Sequence, residues 1–130
     1  MKLRPMTILD ADKMLEWKNY EETRKFSIST PHEISAKDHF EWLQKNFQYF
    51  KVIELDHHLL GAVRLQDNEI SIWVDRDFRG QGIATDAIKI IAKKGMIARI
   101  VDGNVASMKA FIRAGFEPVK HDINYYTLQL

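Results

Sequence analysis

The chain has 130 residues, 45% of them apolar, and 19 basic against 18 acidic side chains for a net charge of +1. That length suits one domain, residues 1–130, with a modest core, and the balanced charge gives no support to nucleic acid or an anionic membrane as a partner. There is no cysteine, which excludes disulfides, thiolate metal sites and a cysteine nucleophile. The opening residues lack the apolar core of a signal peptide, and no apolar run approaches a membrane span, so the expected compartment is the cytoplasm.

Residues 2–4 read as a short edge strand stopped by Pro5. Thr7 or Asp10 can cap a helix with Ala11, Met14 and Leu15 on one face. Residues 19–31 are polar and poorly periodic, a loop or broken helix. Ser35 to Asp38 is capping-box-like, and Phe40, Leu43 and Phe47 then recur at helical spacing. A β-meander follows: strands over 50–55, 59–65 and 69–74, with turns at Asp56-His57-His58 and Gln66-Asp67-Asn68. The next helix runs from Ile83 to Lys94, its core stripe being Ile83, Ala87, Ile88 and Ile91, with Gly95 as its stop. Residues 96–101 form a buried strand. Asn104 caps a helix carrying Met108, Phe111 and Ile112 that ends at Gly115, and strands at 116–119 and 125–130 close the chain. The order is β-α-α-β-β-β-α-β-α-β-β. It implies a mixed, mostly antiparallel α/β sheet with helices on both faces.

The richest segment is Arg79-Gly80-Gln81-Gly82-Ile83-Ala84, set between an apolar strand and a helix. Glycines let a backbone approach an anion closely. The first amides of a helix lack intrahelical partners and carry the positive end of its dipole, so such a turn holds phosphate. Arg79 can add a charged fork. A dinucleotide fingerprint needs a glycine or alanine where Thr85 stands, although Asp102 lies where a ribose-binding acid belongs. The chain left after the motif is too short for the further parallel strands of that fold. No Gly-Lys-Ser/Thr is present for a Walker site.

Arg79, Gly80, Gly82 and Ala84, following the strand at 69–74, resemble the acetyl-CoA signature of the GNAT superfamily of N-acetyltransferases. The segment from Asn104 through Ser107 to Gly115-Phe116 is similar to the family's second motif. The N-terminal third, with Trp17-Lys18-Asn19, Thr23-Arg24, Ile34-Ser35 and His39 to Leu43, resembles the acetyltransferases of nucleotide-linked amino sugars, the pseudaminic acid pathway type. Ribosomal-protein N-terminal acetyltransferases share a weaker version.

The resemblance implies acetyl-CoA as cosubstrate, no metal, and direct attack of an amine on the thioester. Its cofactor positions fall on Trp73, Val74, Asp75, Arg79, Gly80, Gln81, Gly82, Ile83, Ala84, Thr85, Asn104, Ser107 and Phe111. Backbone at Trp73 to Asp75 would hold the pantetheine arm, and an amide at that strand end would polarise the thioester. Trp17, Asn19, Arg24 and His39 are the candidate acceptor contacts, and Glu69, His39 and Ser107 the candidate catalytic groups. Where many relatives carry an acidic tyrosine this chain has Phe111, leaving Ser107, Tyr125, Tyr126 or water to reprotonate the thiolate.

Plainer roles compete: core packing for Trp17, Phe40 and Trp42, a surface charge for Arg24, a helix cap for Asn104. His57-His58 lacks a third ligand nearby. The first expected acceptor is a small-molecule primary amine, a nucleotide-linked amino sugar foremost. A protein N-terminus, a polyamine, or an acyl-CoA-binding module without turnover are the alternatives. Edge strands would also allow a homodimer.

Overall fold

The computed structural model describes residues 1–28 and 31–130. Seven strands form one sheet in the order β1-β2-β3-β4-β5-β7-β6. They are β1 (Lys2–Pro5), β2 (Phe50–Leu55), β3 (His58–Gln66), β4 (Glu69–Val74), β5 (Ile97–Val101), β6 (Glu117–His121) and β7 (Tyr125–Gln129). The helices are α1 (Ala11–Asn19), α2 (Glu21–Lys25), α3 (Ala36–Gln44), α4 (Ile83–Ile91) and α5 (Val105–Arg113). Every strand pairing is antiparallel except β4 with β5. This topology leaves no place for the parallel strands of a dinucleotide-binding fold. Asp102 instead accepts a hydrogen bond from His121 Nε2 at 3.0 Å.

The meander turns are tighter than the sequence suggests. Asp56-His57 and Asp67-Asn68 all have positive φ, the two-residue geometry that matches strand twist. Both faces of the sheet are covered. One cluster packs Ile53, Val63, Ile70, Ile88, Ala98, Phe111, Phe116 and Leu128 under α4 and α5. The other packs Met14, Trp17, Leu43, Phe50, Val52 and Ala62 under α1 and α3.

The stretch read as a loop or broken helix is a helix broken at Tyr20: α1 ends at Asn19 and α2 covers Glu21–Lys25, capped by no side chain; residues 29 and 30 of that stretch lie outside the described residues. Two sequence expectations need correction. In α3 the buried row is His39 and Leu43, while Phe40 is 41% exposed. Leu43 holds its expected place and Phe47 packs against the same cluster, while His39, one turn before Leu43, takes the buried place expected of Phe40. And α4 stops at Ile91, because Ala92 turns to extended backbone (ψ 139), well before Gly95.

Candidate functional site

The site begins where the sheet comes apart. β4 and β5 pair at one position only, Glu69 with Ile97, and the two strands diverge beyond it. A cavity of about 930 Å³ fills the gap. It is bounded by β4 and by Ile100 and Val101 of β5, by the turn before α4, by α5, and on the far side by Lys18, His39 and Trp42.

The opened edge of β4 carries unpaired peptide groups. Asp75 N–H donates to the Leu60 carbonyl at 2.7 Å, so it faces β3. Peptide direction alternates along a strand. Trp73 therefore also faces β3, while Ile72 and Val74 present their N–H groups to the cavity side. Of the three positions whose backbone is expected to hold a pantetheine arm, only Val74 has its amide on the cavity side, where the amide of Ile72 joins it. Alternation alone could not have found it, since the reading depends on which neighbour β4 loses. The close approach of β3 behind β4 is set by Gly61, where a Cβ would stand 2.0 Å from the Trp73 carbonyl oxygen.

At the other end of β4 lies the glycine turn. Gly80 and Gly82 have φ of +78 and +77, and a Cβ built on either would meet nothing within 4 Å. Gly82 caps α4 without any side-chain hydrogen bond. The first amides of α4, at Ile83, Ala84 and Thr85, thus border open space and have no intrahelical partners. An anionic group fits this cradle. Gly80, Gly82, Ile83, Ala84 and Thr85 line the cavity, whereas Gln81 borders a separate, smaller pocket with Asp86. Arg79 lines it too, but its guanidinium is engaged: Nη1 donates to Glu22 Oε1 at 2.9 Å and Nε to the Val74 carbonyl at 3.3 Å.

From α5 come Asn104, Ser107 and Phe111. Asn104 Oδ1 accepts the Ser107 N–H at 3.4 Å, the cap expected of it. Phe111 is 2% exposed and meets Phe116 edge to face. Tyr125 and Tyr126 do not line the cavity.

The candidate catalytic and acceptor residues separate on inspection. Glu69 lines the cavity with both carboxylate oxygens at 3.0–3.1 Å from Arg99 Nε. His39 lines it as a 2% exposed side chain whose Nε2 lies 3.2 Å from the Ala11 carbonyl. A carbonyl only accepts, so Nε2 carries the proton and Nδ1 is a bare lone pair. Nδ1 is buried without a partner among the described residues. Burial first, then the nearby Lys18 charge, pushes the His39 pKa down, so the imidazole is neutral near pH 7. Trp17, by contrast, is 1% exposed and lies in the core, away from the cavity. Asn19 clamps Ile34 through two 2.8 Å bonds, and Arg24 donates to the Asn19 carbonyl at 3.3 Å; neither lines the cavity. Lys18, next to Trp17, is the one that reaches the cavity.

Residues 1–117 match the acetyltransferase (GNAT) domain family. The chain belongs to that family. It is similar to the spermidine N-acetyltransferase of Vibrio cholerae, solved with CoA and spermine, at 15% identity and a TM-score of 0.85, over 99% of this chain and 94% of that one. It is also similar to the ribosomal-protein-alanine N-acetyltransferase of Brucella melitensis, at 17% identity and a TM-score of 0.75, over 100% and 99%. A domain from Methanocaldococcus jannaschii aligns at 20% identity and a TM-score of 0.79, over 99% and 97%. No curated protein matches the sequence. This GNAT domain is an acyl-CoA-dependent N-acetyltransferase. Among the described residues no group of acids and histidines could hold a metal, and no helix is long and apolar enough to cross a membrane.

Proposed function

We propose that this GNAT domain moves an acetyl group from acetyl-CoA to the primary amine of a small molecule, a nucleotide-linked amino sugar being the first candidate. One observation carries the reading: a single cavity runs from the glycine turn, along the opened edge of β4, to a chamber under α1 and α3 that ends at His39.

Gly80, Gly82 and the amides of Ile83 to Thr85 would hold the pyrophosphate. An arm leaving that turn along the β4 edge meets Val74 before Ile72. The Val74 amide would bond the arm, and the Ile72 amide would stand at the thioester carbonyl as its oxyanion donor. Bound acetyl-CoA supplies an activated acyl group on a thiolate leaving group. The amine nitrogen attacks the carbonyl carbon, the carbon–sulfur bond breaks, and the amine's proton leaves to a base. His39 is the base we assign: its side chain lines the cavity, its imidazole is neutral, and Nδ1, buried and unpartnered among the described residues, would take the amine's proton once the ring turns it toward the cavity. Glu69 is three residues from Ile72, roughly 10 Å along a strand, and fastened to Arg99, which leaves it at most a water-relayed role. Holding both reactants in line does most of the work.

A module that binds acyl-CoA without turnover is the second reading, favoured by Phe111 at the position of the expected acid. Release of free CoA thiol in the presence of an amine panel separates the two. The cysteine-free chain contributes no thiol of its own. CoA binding without amine-dependent release would overturn the enzyme mechanism proposed for these residues. A thermal-shift comparison with acetyl-CoA, CoA and NAD comes first. A shift with the CoA species alone is expected, since a ligand at a hundredfold over its Kd adds about 2.7 kcal/mol.

A further inference from the structure

The acceptor chamber holds more positive charge than a plain amine pocket needs. Lys18 Nζ lies 3.8 Å from the centre of the Trp42 ring and makes no ion pair with any described carboxylate. Arg64 lies in β3, opposite Phe50 on one side and Ser71 on the other. Among the described residues its Nε is buried without a partner, and its one side-chain hydrogen bond runs from Nη2 to the amide oxygen of Gln66, a neutral group. Lys18, Arg64, Trp42, Phe50, Ser71 and His39 line the same cavity.

The acids on the cavity wall do not neutralise this pair. Glu22 is taken by Arg76 and Arg79, and Glu69 by Arg99. Asp38 is solvent-exposed on the first turn of α3. Both side chains are half-buried, and holding two like charges partly out of water without an acid is costly unless a ligand brings the counter-charge. Burial, then the Arg64 charge, lowers the Lys18 pKa to about 8, the mark of an ammonium short of compensation.

We propose that Lys18 and Arg64 form a subsite for an oxyanion on the acceptor, a phosphate or carboxylate carried by the same molecule as the amine, with Trp42 as its apolar shelf. This rests on the acetyltransferase reading above and narrows its substrate class. The division of labour follows from the side chains. Lys18 and Arg64 can only donate, so they take the anion. Neutral His39 Nδ1, buried as it stands, can only accept, so it would take the amine N–H once the ring turns it to the cavity. A polycation such as spermine would set its charges against both cations.

The test is calorimetric titration of the CoA-saturated protein with glucosamine, glucosamine 6-phosphate, muramic acid and spermidine. The anionic amines should bind at least roughly tenfold more tightly than glucosamine, as two charge-assisted hydrogen bonds imply. The phosphate and carboxylate arms tell the two anion sources apart. Lys18→Glu should abolish the preference and Lys18→Arg should keep it, which a merely structural lysine would not do. Equal affinity for glucosamine and its phosphate, tighter binding of spermidine, or no binding of any anionic amine would each overturn the subsite. Because CoA binding is scored separately, as the thermal shift of each variant, failure of the subsite is distinct from failure of the acetyltransferase reading. If CoA and the anions bind but no amine releases thiol, the subsite stands and the catalytic reading falls.

Discussion

The Trp17 indole N–H donates to the Asp75 carboxylate at 2.9 Å, across 58 residues of sequence and with both side chains buried. The bond ties α1, which carries Lys18 into the cavity, to the end of β4, whose open edge forms another of its walls. Asp75 also accepts from the Asp77 amide at 2.9 Å and lies 3.5 Å from Lys13 Nζ. Trp17→Phe keeps the packing and leaves a buried carboxylate short of a donor, at a cost of about 1–3 kcal/mol. A lower midpoint in urea, with unchanged slope, is the expected outcome; an unchanged midpoint would mean that water replaces the indole.

The same carboxylate should make stability fall in acid. Burial raises the Asp75 pKa, but the bonds from Trp17 and the Asp77 amide and the Lys13 charge outweigh it, and the net shift is downward. A depressed carboxyl stabilises the fold above its unfolded value and loses that contribution as pH drops through the folded one. The loss therefore starts near pH 4, the usual aspartate value, and continues below it. Asp75→Asn should flatten this part of the stability profile, read by denaturant titration between about pH 5 and pH 2. Asp10, held low by Arg4 in spite of its burial, leaves a residual slope of the same sign.

Gly82→Val tests the anion cradle. At φ +77 a β-branched residue is strained, so the free protein should lose about 1–2 kcal/mol. The added side chain would also fill the space at the start of α4. The thermal shift given by CoA should vanish, and Gly82→Ala should show an intermediate loss. A full shift in the valine variant would place the pyrophosphate elsewhere.

Most of the strand order was legible because the meander alternates cleanly and its turns carry Asp, Asn and His, residues that tolerate positive φ. The glycine turn was legible because its chemistry is local. What sequence could not give was long-range. Nothing in residues 69–74 says that β5 leaves β4 after one pair, and this departure is what turns the amides of Ile72 and Val74, rather than those of Trp73 and Asp75, toward the cavity. Trp17 and Lys18 are neighbours, and only the rotation of α1 sends the first to the core and the second to the cavity. The α3 stripe was misread because Phe40 is large and apolar yet exposed, while polar His39 is buried with one nitrogen on a backbone carbonyl.

Phe111→Tyr asks whether the thiolate needs a protein acid. Phe111 is a core residue that also lines the cavity from α5, so the variant should fold, with a melting temperature near native if the added hydroxyl reaches the cavity and lower if it is buried. A raised turnover, by up to about a hundredfold, is expected if proton delivery limits the reaction. An unchanged rate with any amine substrate would assign the proton to water.

Lys18 gives the acceptor subsite a pH signature. Below about 8 it is a cation, and above that value it loses its proton while Arg64 keeps its charge. Affinity for an anionic probe without an amine, such as N-acetylglucosamine 6-phosphate, should fall as pH rises through about 8. In Lys18→Arg that fall should disappear. Lys18→Met should raise the melting temperature of the free protein near neutral pH, because it removes an uncompensated buried charge.

The single residue pair between β4 and β5 makes the sheet two half-sheets, one of four strands and one of three, joined mainly through the core beneath α4 and α5. A cosubstrate lying along the open edge would act as the absent strand between them. Its arrival would then be a step of assembly. Amide hydrogens at Ile72 and Val74 would slow in exchange, the two halves would gain cooperativity on unfolding, and departure of the spent cofactor would return the molecule to its looser form.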